Sequence, residues 1–285
     1  MIPNQIKTVL LLSSLTALLI LLGGLIGGKN GLLFGLIFAS LMNFVSYWWS
    51  SKIVLKLYKA KEADKKEYPE LYSMIDEIRR SAQLPLPKIY IVDMPQANAF
   101  ATGRNPKHGV VAVTTGILNL LEKNELKGVL AHEISHIKNR DILISSIAAT
   151  IAGIISYVAI IARWGTMFGG MSGDNDNNNN MLELIVLAII APIMALIIQM
   201  AISRSREFLA DETGAKLIKD PFSLASALEK INQNVKHNPL KPLGVTEATA
   251  HLFISNPFKG KSFLNLFSTH PSMEERCNKL RSMQL

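Results

Sequence analysis

The sequence predicts a mainly α-helical membrane protein: four transmembrane helices in two hairpins, plus a cytoplasmic α+β domain with a small β-sheet. Of the 285 residues, 49% are hydrophobic and only 18% are charged, which is too apolar for an ordinary water-soluble protein of this length. The apolar residues are concentrated in four uncharged runs of about 20 residues, the length that crosses a bilayer. Basic residues flank these runs unevenly, which predicts an orientation.

The four runs define the domain boundaries. The two hairpins are residues 1–51, with spans at about 9–28 and 31–51, and residues 142–203, with spans at about 142–162 and 184–203 around a polar loop at 163–183. The remaining segments, 52–141 and 204–285, form the two parts of the cytoplasmic domain. A pair of buried core helices is the alternative for the third and fourth runs, but their length and lack of charge favour membrane spans.

The basic residues lie mainly on one side of the predicted membrane. Six lysines follow the second run: Lys52, Lys56, Lys59, Lys61, Lys65 and Lys66. Arg204 and Arg206 follow the fourth run, whereas the opposite side offers only Lys29 and Arg163. Because basic loops stay in the cytoplasm, both termini and the α+β domain are predicted to be cytoplasmic. The net charge of +8 is assigned to these flanks and not to nucleic-acid binding, since no nucleic-acid-binding motif accompanies it.

Hydrophobic periodicity and turn residues predict the elements of the cytoplasmic domain. Helices are expected at 68–83, near 116–122, from Asn124 as N-cap, at 203–219, from Asp220 and from about Pro271; strands are expected at 88–92, 98–103 and 109–113. A single cysteine, Cys277, excludes an intramolecular disulfide and fits a reducing compartment.

Residues 132–136 read His-Glu-Ile-Ser-His. On a helix, the spacing of i and i+4 puts the imidazoles of His132 and His136 on one face, close enough to share a zinc ion. Glu133, between them, is placed to take a proton from an attacking water. This pattern predicts a zinc hydrolase site beside the third predicted span.

A catalytic zinc site needs a third protein ligand. No histidine follows the motif at a suitable spacing, so the ligand must come from elsewhere on the same side of the membrane. Glu207 is the first acidic residue after the second hairpin, and we expect it to be that ligand. Asp211, one turn later, would accept a hydrogen bond from the other ring nitrogen of a ligand histidine. The alternative is that both carboxylates form a solvated helix face balancing Arg204 and Arg206.

The chain resembles the HtpX family of membrane zinc metalloproteases, which is related to the CAAX prenyl endoprotease and the Oma-type proteases. The resemblance is carried by Ala-His-Glu-Ile-Ser-His at 131–136, Ser-Arg-Ser-Arg-Glu-Phe-Leu-Ala-Asp at 203–211, Thr-His-Pro at 269–271 and Asn-Ala-Phe-Ala-Thr-Gly at 98–103. It implies a zincin-like (gluzincin) protease domain with one Zn²⁺ per chain. His132, His136 and Glu207 would be the ligands, Glu133 the general base, and Asp211 the hydrogen-bond partner of a ligand.

Two further groups of residues acquire expected roles from this resemblance. His270 or Arg276 would stabilise the oxyanion of the reaction; helix capping is the alternative for His270. The segment beside the cleft is expected to bind substrate as an edge strand: Asn98, Ala99, Phe100, Ala101, Thr102 and Gly103. The alternative for this segment is an ordinary core strand that ends in a glycine turn.

The expected function is therefore that of a multi-pass, zinc-dependent endopeptidase of the cell inner membrane. It would hydrolyse membrane or misfolded proteins at the cytoplasmic face, in membrane-protein quality control and the stress response. Its expected partners are polypeptide substrates, the lipid bilayer and other quality-control proteases, with no nucleic acid. One alternative is a catalytically silent zinc-binding membrane scaffold or sensor. Another, a CAAX-type prenyl-peptide protease, is disfavoured because that relative has more spans.

Overall fold

The computed structural model describes residues 4–147, 204–239, 252–255 and 271–284. The helices are α1 Asn4–Leu57, α2 Pro69–Ala82, α3 Thr115–Leu120, α4 Lys123–Lys138, α5 Arg204–Ile218, α6 Pro221–His237 and α7 Met273–Arg281, and the strands are β1 Lys61–Glu62, β2 Lys88–Val92, β3 Ala99–Thr102 and β4 Val110–Thr114. Residues 142–147 are also helical. Most of the second predicted hairpin, including the asparagine-rich stretch at 174–180, lies outside the described residues.

Helix α1 reverses direction near Gly28. This glycine has φ 57°, a conformation that residues with a Cβ rarely adopt. Asn43 Nδ2 donates to Thr16 Oγ1 at 2.7 Å across 27 residues, although a straight helix would separate them by about 40 Å. Two apolar segments therefore lie side by side, and the second extends to Leu57, beyond the predicted end at residue 51. Within the described ranges, Gly28–Leu57 is long and apolar enough to cross a membrane.

The mixed four-stranded sheet has the order β1-β2-β4-β3. Strands β2 and β4 run parallel, while β3 pairs with β4 antiparallel. The other edge of β3 has no strand partner within the described residues. That edge faces α4, because the backbone N–H of Ala101 donates to the carboxylate of Glu133. The sheet thus presents a free strand edge beside the helix that carries the histidine motif.

Helix α4 is held by its N-terminus and by one apolar face. Its N-cap is Glu122 and not the predicted Asn124: Glu122 and Glu125 form a reciprocal capping box. Glu125 Oε2 also accepts from Lys230 on α6 at 2.9 Å, a tertiary contact that helps to fix the starting point. Further along, Leu130 and Ile134 are completely buried. Packing of this face leaves the opposite face of α4 directed towards α5 and β3.

Helices α4 and α5 are in close backbone contact at Gly214. A Cβ built on Gly214 would lie 2.9 Å from the backbone nitrogen of His132, closer than real Cβ contacts allow. Gly214→Ala is therefore expected to push the helices apart and to cost about 1–3 kcal/mol of folding free energy. The thermal unfolding midpoint in detergent measures this loss, with Thr213→Ala as the control on the same helix. Equal midpoints for G214A and wild type would disprove the close approach.

Candidate active site

Three side chains that the sequence singled out converge on one point. His132 Nε2 and His136 Nε2, one turn apart on α4, are 3.1 Å apart. Glu207 on α5 brings Oε2 to 3.7 Å from His132 Nε2 and Oε1 to 3.8 Å from His136 Nε2. Tetrahedral zinc with bonds of about 2.0–2.1 Å would separate its ligand atoms by about 3.3 Å. This donor set of two imidazoles and one carboxylate therefore fits a catalytic zinc ion.

Each histidine is oriented by a carboxylate at its other ring nitrogen. Asp211 Oδ1 lies 2.8 Å from His132 Nδ1, and Asp141 Oδ2 lies 3.0 Å from His136 Nδ1. A carboxylate at Nδ1 favours the tautomer with its proton there, which leaves the Nε2 lone pair directed at the shared point. Asp211 was among the sequence-predicted residues, whereas Asp141 was not. The only sequence feature that could have pointed to Asp141 is its position, as an acidic residue five positions after the second histidine.

Burial and neighbouring charges together shift the pKa values of His136 and Glu133. Burial alone would lower the pKa of His136, but the nearby carboxylate of Asp141, with Glu207, outweighs it and raises the pKa to about 10. A cation is therefore favoured at this point, and a metal ion must displace a proton to bind His136. Burial raises the pKa of Glu133, whereas the two imidazoles act in the opposite direction. Glu133 is only 4% exposed.

Arg276 on α7 lies behind the ligands and is fully buried. Its Nε and Nη2 donate to the two carboxylate oxygens of Asp211, both at 2.7 Å, and its Nη1 is 3.2 Å from Glu207 Oε2. Burial alone would raise the pKa of Asp211, but Arg276 outweighs this effect and lowers it. Arg276 is not part of the cleft wall, so this placement does not support the predicted oxyanion role. It supports a role in holding Asp211 and Glu207.

The converging side chains lie in a cleft between β3, α4, α5 and two short segments, 141–145 and 252–254. Its walls are formed by Ala99, Phe100, Ala101, His132, Glu133, His136, Asp141, Ile142, Ser145, Glu207, Leu252, Phe253 and Ile254. Three residues of the predicted substrate segment thus line the cleft. The other three have structural roles. Asn98 bonds the backbone at 252 and 254, and Thr102 bonds Ser146. Gly103 has φ 138°, a backbone conformation that favours glycine. His270 lies outside the described residues, and its predicted role stays a prediction.

Asp141→Asn is expected to weaken zinc binding by about 10–100-fold. The amide oxygen can still accept the hydrogen bond from His136 Nδ1, but the charge that favours the required tautomer is lost. Competition with a chromophoric chelator measures the zinc affinity, and Asp64→Asn, at an exposed position, is the control. If D141N bound zinc as tightly as wild type, the contact between Asp141 and His136 would have no role in the metal site.

Comparisons with known proteins agree with this geometry. Residues 65–284 match the description "Peptidase family M48". A "Protease HtpX homolog" of Persephonella marina is 54% identical over 282 residues, covering 98% of this chain and 97% of that protein. Another from Syntrophobacter fumaroxidans is 50% identical over 282 residues, covering 98% and 99%. The predicted resemblance to the HtpX family is confirmed.

A solved structure shows the same fold at low identity. The "Crystal Structure of S. mikatae Ste24p" superposes with a TM-score of 0.53 at 18% identity and covers 97% of this chain. This chain spans 65% of the length of that one, and at 18% identity the similarity concerns the fold alone. Taken with the match over residues 65–284 and with relatives of 50% identity or more over nearly the full length, these findings establish that the chain belongs to peptidase family M48.

Proposed function

We propose that this chain is a zinc-dependent endopeptidase integral to the cell inner membrane, which hydrolyses peptide bonds of polypeptides at the cytoplasmic face. One observation carries the proposal: His132, His136 and Glu207 converge within 4.8 Å of one another, with Glu133 in the same cleft. Zinc is the metal that best suits two imidazoles and one carboxylate. One ion per chain is expected.

Each residue of the site has a separate proposed role in the reaction. A zinc ion bound to the three ligands would activate water for attack and polarise the peptide carbonyl. Glu133 takes the proton of the attacking water and passes it to the departing amine, which needs a carboxylate within reach of both atoms. The Ala101 N–H holds the Glu133 carboxylate in orientation. Asp211, Asp141 and Arg276 position the ligands. His270 is proposed to stabilise the developing oxyanion.

An extended substrate is proposed to bind along the free edge of β3. The Ala101 N–H points to the cleft, where it holds Glu133, so the backbone groups of Ala99, two residues away, and the Ala101 carbonyl oxygen face the same side and would pair with the peptide. A peptide added to this edge would pass the ligands with its backbone paired and its side chains alternating. Binding of this kind recognises main chain more than sequence, which suits an enzyme that acts on unfolded or misfolded polypeptides.

Membrane insertion is supported by the surface of α1. Large apolar side chains of its second half are exposed, among them Leu33 at 59% and Phe34 at 73%, which would be unfavourable in water. Trp48 and Trp49 lie at the end of this apolar surface, as interfacial aromatic residues do. Lysines follow directly, which supports a cytoplasmic orientation for the protease domain and, with four spans, for both termini.

The substrates are proposed to be membrane proteins or misfolded polypeptides close to the bilayer, in membrane-protein quality control and the stress response, alongside other quality-control proteases. This assignment is supported by homology to HtpX proteases and by Tyr58, the residue after the apolar helix α1, whose ring contacts Phe100 and Phe253 of the cleft wall. A silent zinc-binding scaffold or sensor is the second candidate. Glu133 argues against it, because a structural zinc site would use a fourth protein ligand, and only three ligand side chains converge within the described part of the chain.

The test uses full-length protein purified in detergent, stripped of metal with a chelator and reloaded with zinc. Cleavage of an unfolded model protein should be absent after stripping and restored at one zinc per chain. If stoichiometric zinc binding is accompanied by no cleavage of either unfolded or membrane-embedded substrates, the scaffold reading replaces the protease.

Topology has a separate test. A cysteine introduced into the loop at 163–183, in a Cys277→Ser background, is labelled with a membrane-impermeant reagent added to either side. The proposed four-span arrangement requires labelling from the non-cytoplasmic side only. Labelling only from the cytoplasmic side would contradict it.

A further inference from the structure

A short segment of the chain, residues 252–255, forms part of the cleft wall; we call it the strap. Leu252, Phe253 and Ile254 line the cleft together with the metal-site residues. All three are at least nine-tenths buried, at 7%, 2% and 6% exposure. The strap therefore contributes apolar surface to the place where a substrate would lie.

One side chain of the sheet, Asn98, ties the strap in place. Asn98 Nδ2 donates to the carbonyl oxygen of Leu252 at 3.2 Å, and Asn98 Oδ1 accepts from the N–H of Ile254 at 3.0 Å. The amide thus bonds the strap as a strand backbone would, across 154 residues of sequence. Asn98 is 1% exposed, so both bonds are protected from water and neither polar atom is left to contact a substrate.

Asn98 is itself rigidly placed. Its backbone N–H donates to Thr114 Oγ1 at 2.9 Å, and its carbonyl oxygen accepts from the Thr114 N–H at 3.0 Å. The strap is anchored a second time by Phe253, whose ring centroid is 6.3 Å from that of Tyr58. At the other end of the strap, Ser255 Oγ donates to Asn232 Oδ1 on α6 at 3.3 Å. The side chain of Asn98 supplies the two hydrogen bonds that hold the strap backbone next to β3.

We propose that Asn98 is a positioning residue that holds the strap against the cleft, where the strap and β3 form a subsite for a large apolar substrate side chain next to the scissile bond. The proposal rests on the protease function proposed above. The side chains that Ala99, Phe100, Leu252, Phe253 and Ile254 contribute to this wall are all apolar. A polar side chain placed there would lose its water without a partner, whereas an apolar one would gain contacts.

The two hydrogen bonds from the Asn98 side chain to the strap, which we call the clamp, are tested without reference to activity. Hydrogen exchange of zinc-loaded, full-length protein reports the protection of the Ile254 amide. Asn98→Ala should accelerate exchange in the strap about tenfold or more, while zinc affinity stays within about twofold of wild type, since breaking a buried hydrogen bond favours local opening. Asn119→Ala, at an exposed position on α3, is the matched control. Unchanged exchange in N98A would overturn the clamp.

The subsite is tested with two peptides that differ only in Leu or its near-isostere Asn after the scissile bond. Wild type should prefer Leu by about tenfold or more in kcat/KM, and N98A should lose most of that preference. Leu252→Ala leaves the Asn98 bonds to the strap backbone intact and serves if N98A does not fold; because it removes apolar surface from the subsite, it should also reduce the preference for Leu over Asn. Equal cleavage of both peptides by wild type would overturn the subsite and leave the protease function standing. No cleavage at all would overturn the function, while the exchange measurement still decides the clamp.

Discussion

Replacing Glu133 by glutamine is expected to lower the kcat of the zinc-loaded protein by roughly 10²–10⁴-fold. Glutamine has nearly the same shape and can still accept the Ala101 N–H, but it cannot take a proton from water. Zinc binding should persist, because the three converging ligand atoms belong to other residues. The substitution therefore separates the chemistry of the site from its assembly.

Zinc content and single-turnover cleavage should be measured on the same E133Q samples. The required combination is one zinc per chain with activity close to background. A conservative control is Glu125→Gln, on the same helix but bonded to α6, which should retain wild-type cleavage if folded. E133Q activity above about a tenth of wild type at full zinc occupancy would mean that another group is the base.

Replacing Arg276 by methionine is expected to cost about 3–5 kcal/mol of folding free energy. The guanidinium is fully buried and bonds both oxygens of Asp211 at 2.7 Å, so its removal leaves a buried carboxylate without its partner. Because the pKa of Asp211 is depressed in the folded protein, the stabilisation is present at neutral pH and is lost as the pH falls through that depressed pKa.

The thermal unfolding midpoint of R276M should fall by roughly 6–20 °C. The double variant R276M/D211N removes the buried charge as well and should recover part of the loss. Arg276→Lys keeps the charge but not the planar fork, so it should fall between R276M and wild type. A midpoint of R276M within about 2 °C of wild type would show that the ion pair contributes little to stability.

The convergence of His132, His136 and Glu207 was predictable from the sequence. The spacing of His132 and His136 fixes their common face on any helix, and the order of apolar runs pointed to Glu207 as the first acid to return to the same side. The strand at 88–92 was predicted to the residue because β-branched residues and flanking prolines define it. The histidine spacing and the strand are encoded within a few residues of chain, whereas Glu207 was inferred from the order of the apolar runs.

The missed features depend on contacts that no local pattern encodes. Asp141 reaches His136 through a turn in which Arg140 has φ 58°, a conformation that the sequence did not suggest for a non-glycine residue. Asn98 and the strap are joined across 154 residues. The N-cap of α4 at Glu122 is reinforced by Lys230 on another helix. The turn at Arg140 decides the first of these features, and tertiary packing decides the other two.

The most direct measurement is an equilibrium zinc titration of wild type against Glu207→Ala, with Glu212→Ala on the same helix as the control. Wild type and E212A should bind one zinc per chain, whereas E207A should bind more than about 100-fold more weakly, because it loses a ligand and not only a ligand's partner. If E207A bound zinc as tightly as wild type, Glu207 would not be a ligand, and the proposed active site would be wrong.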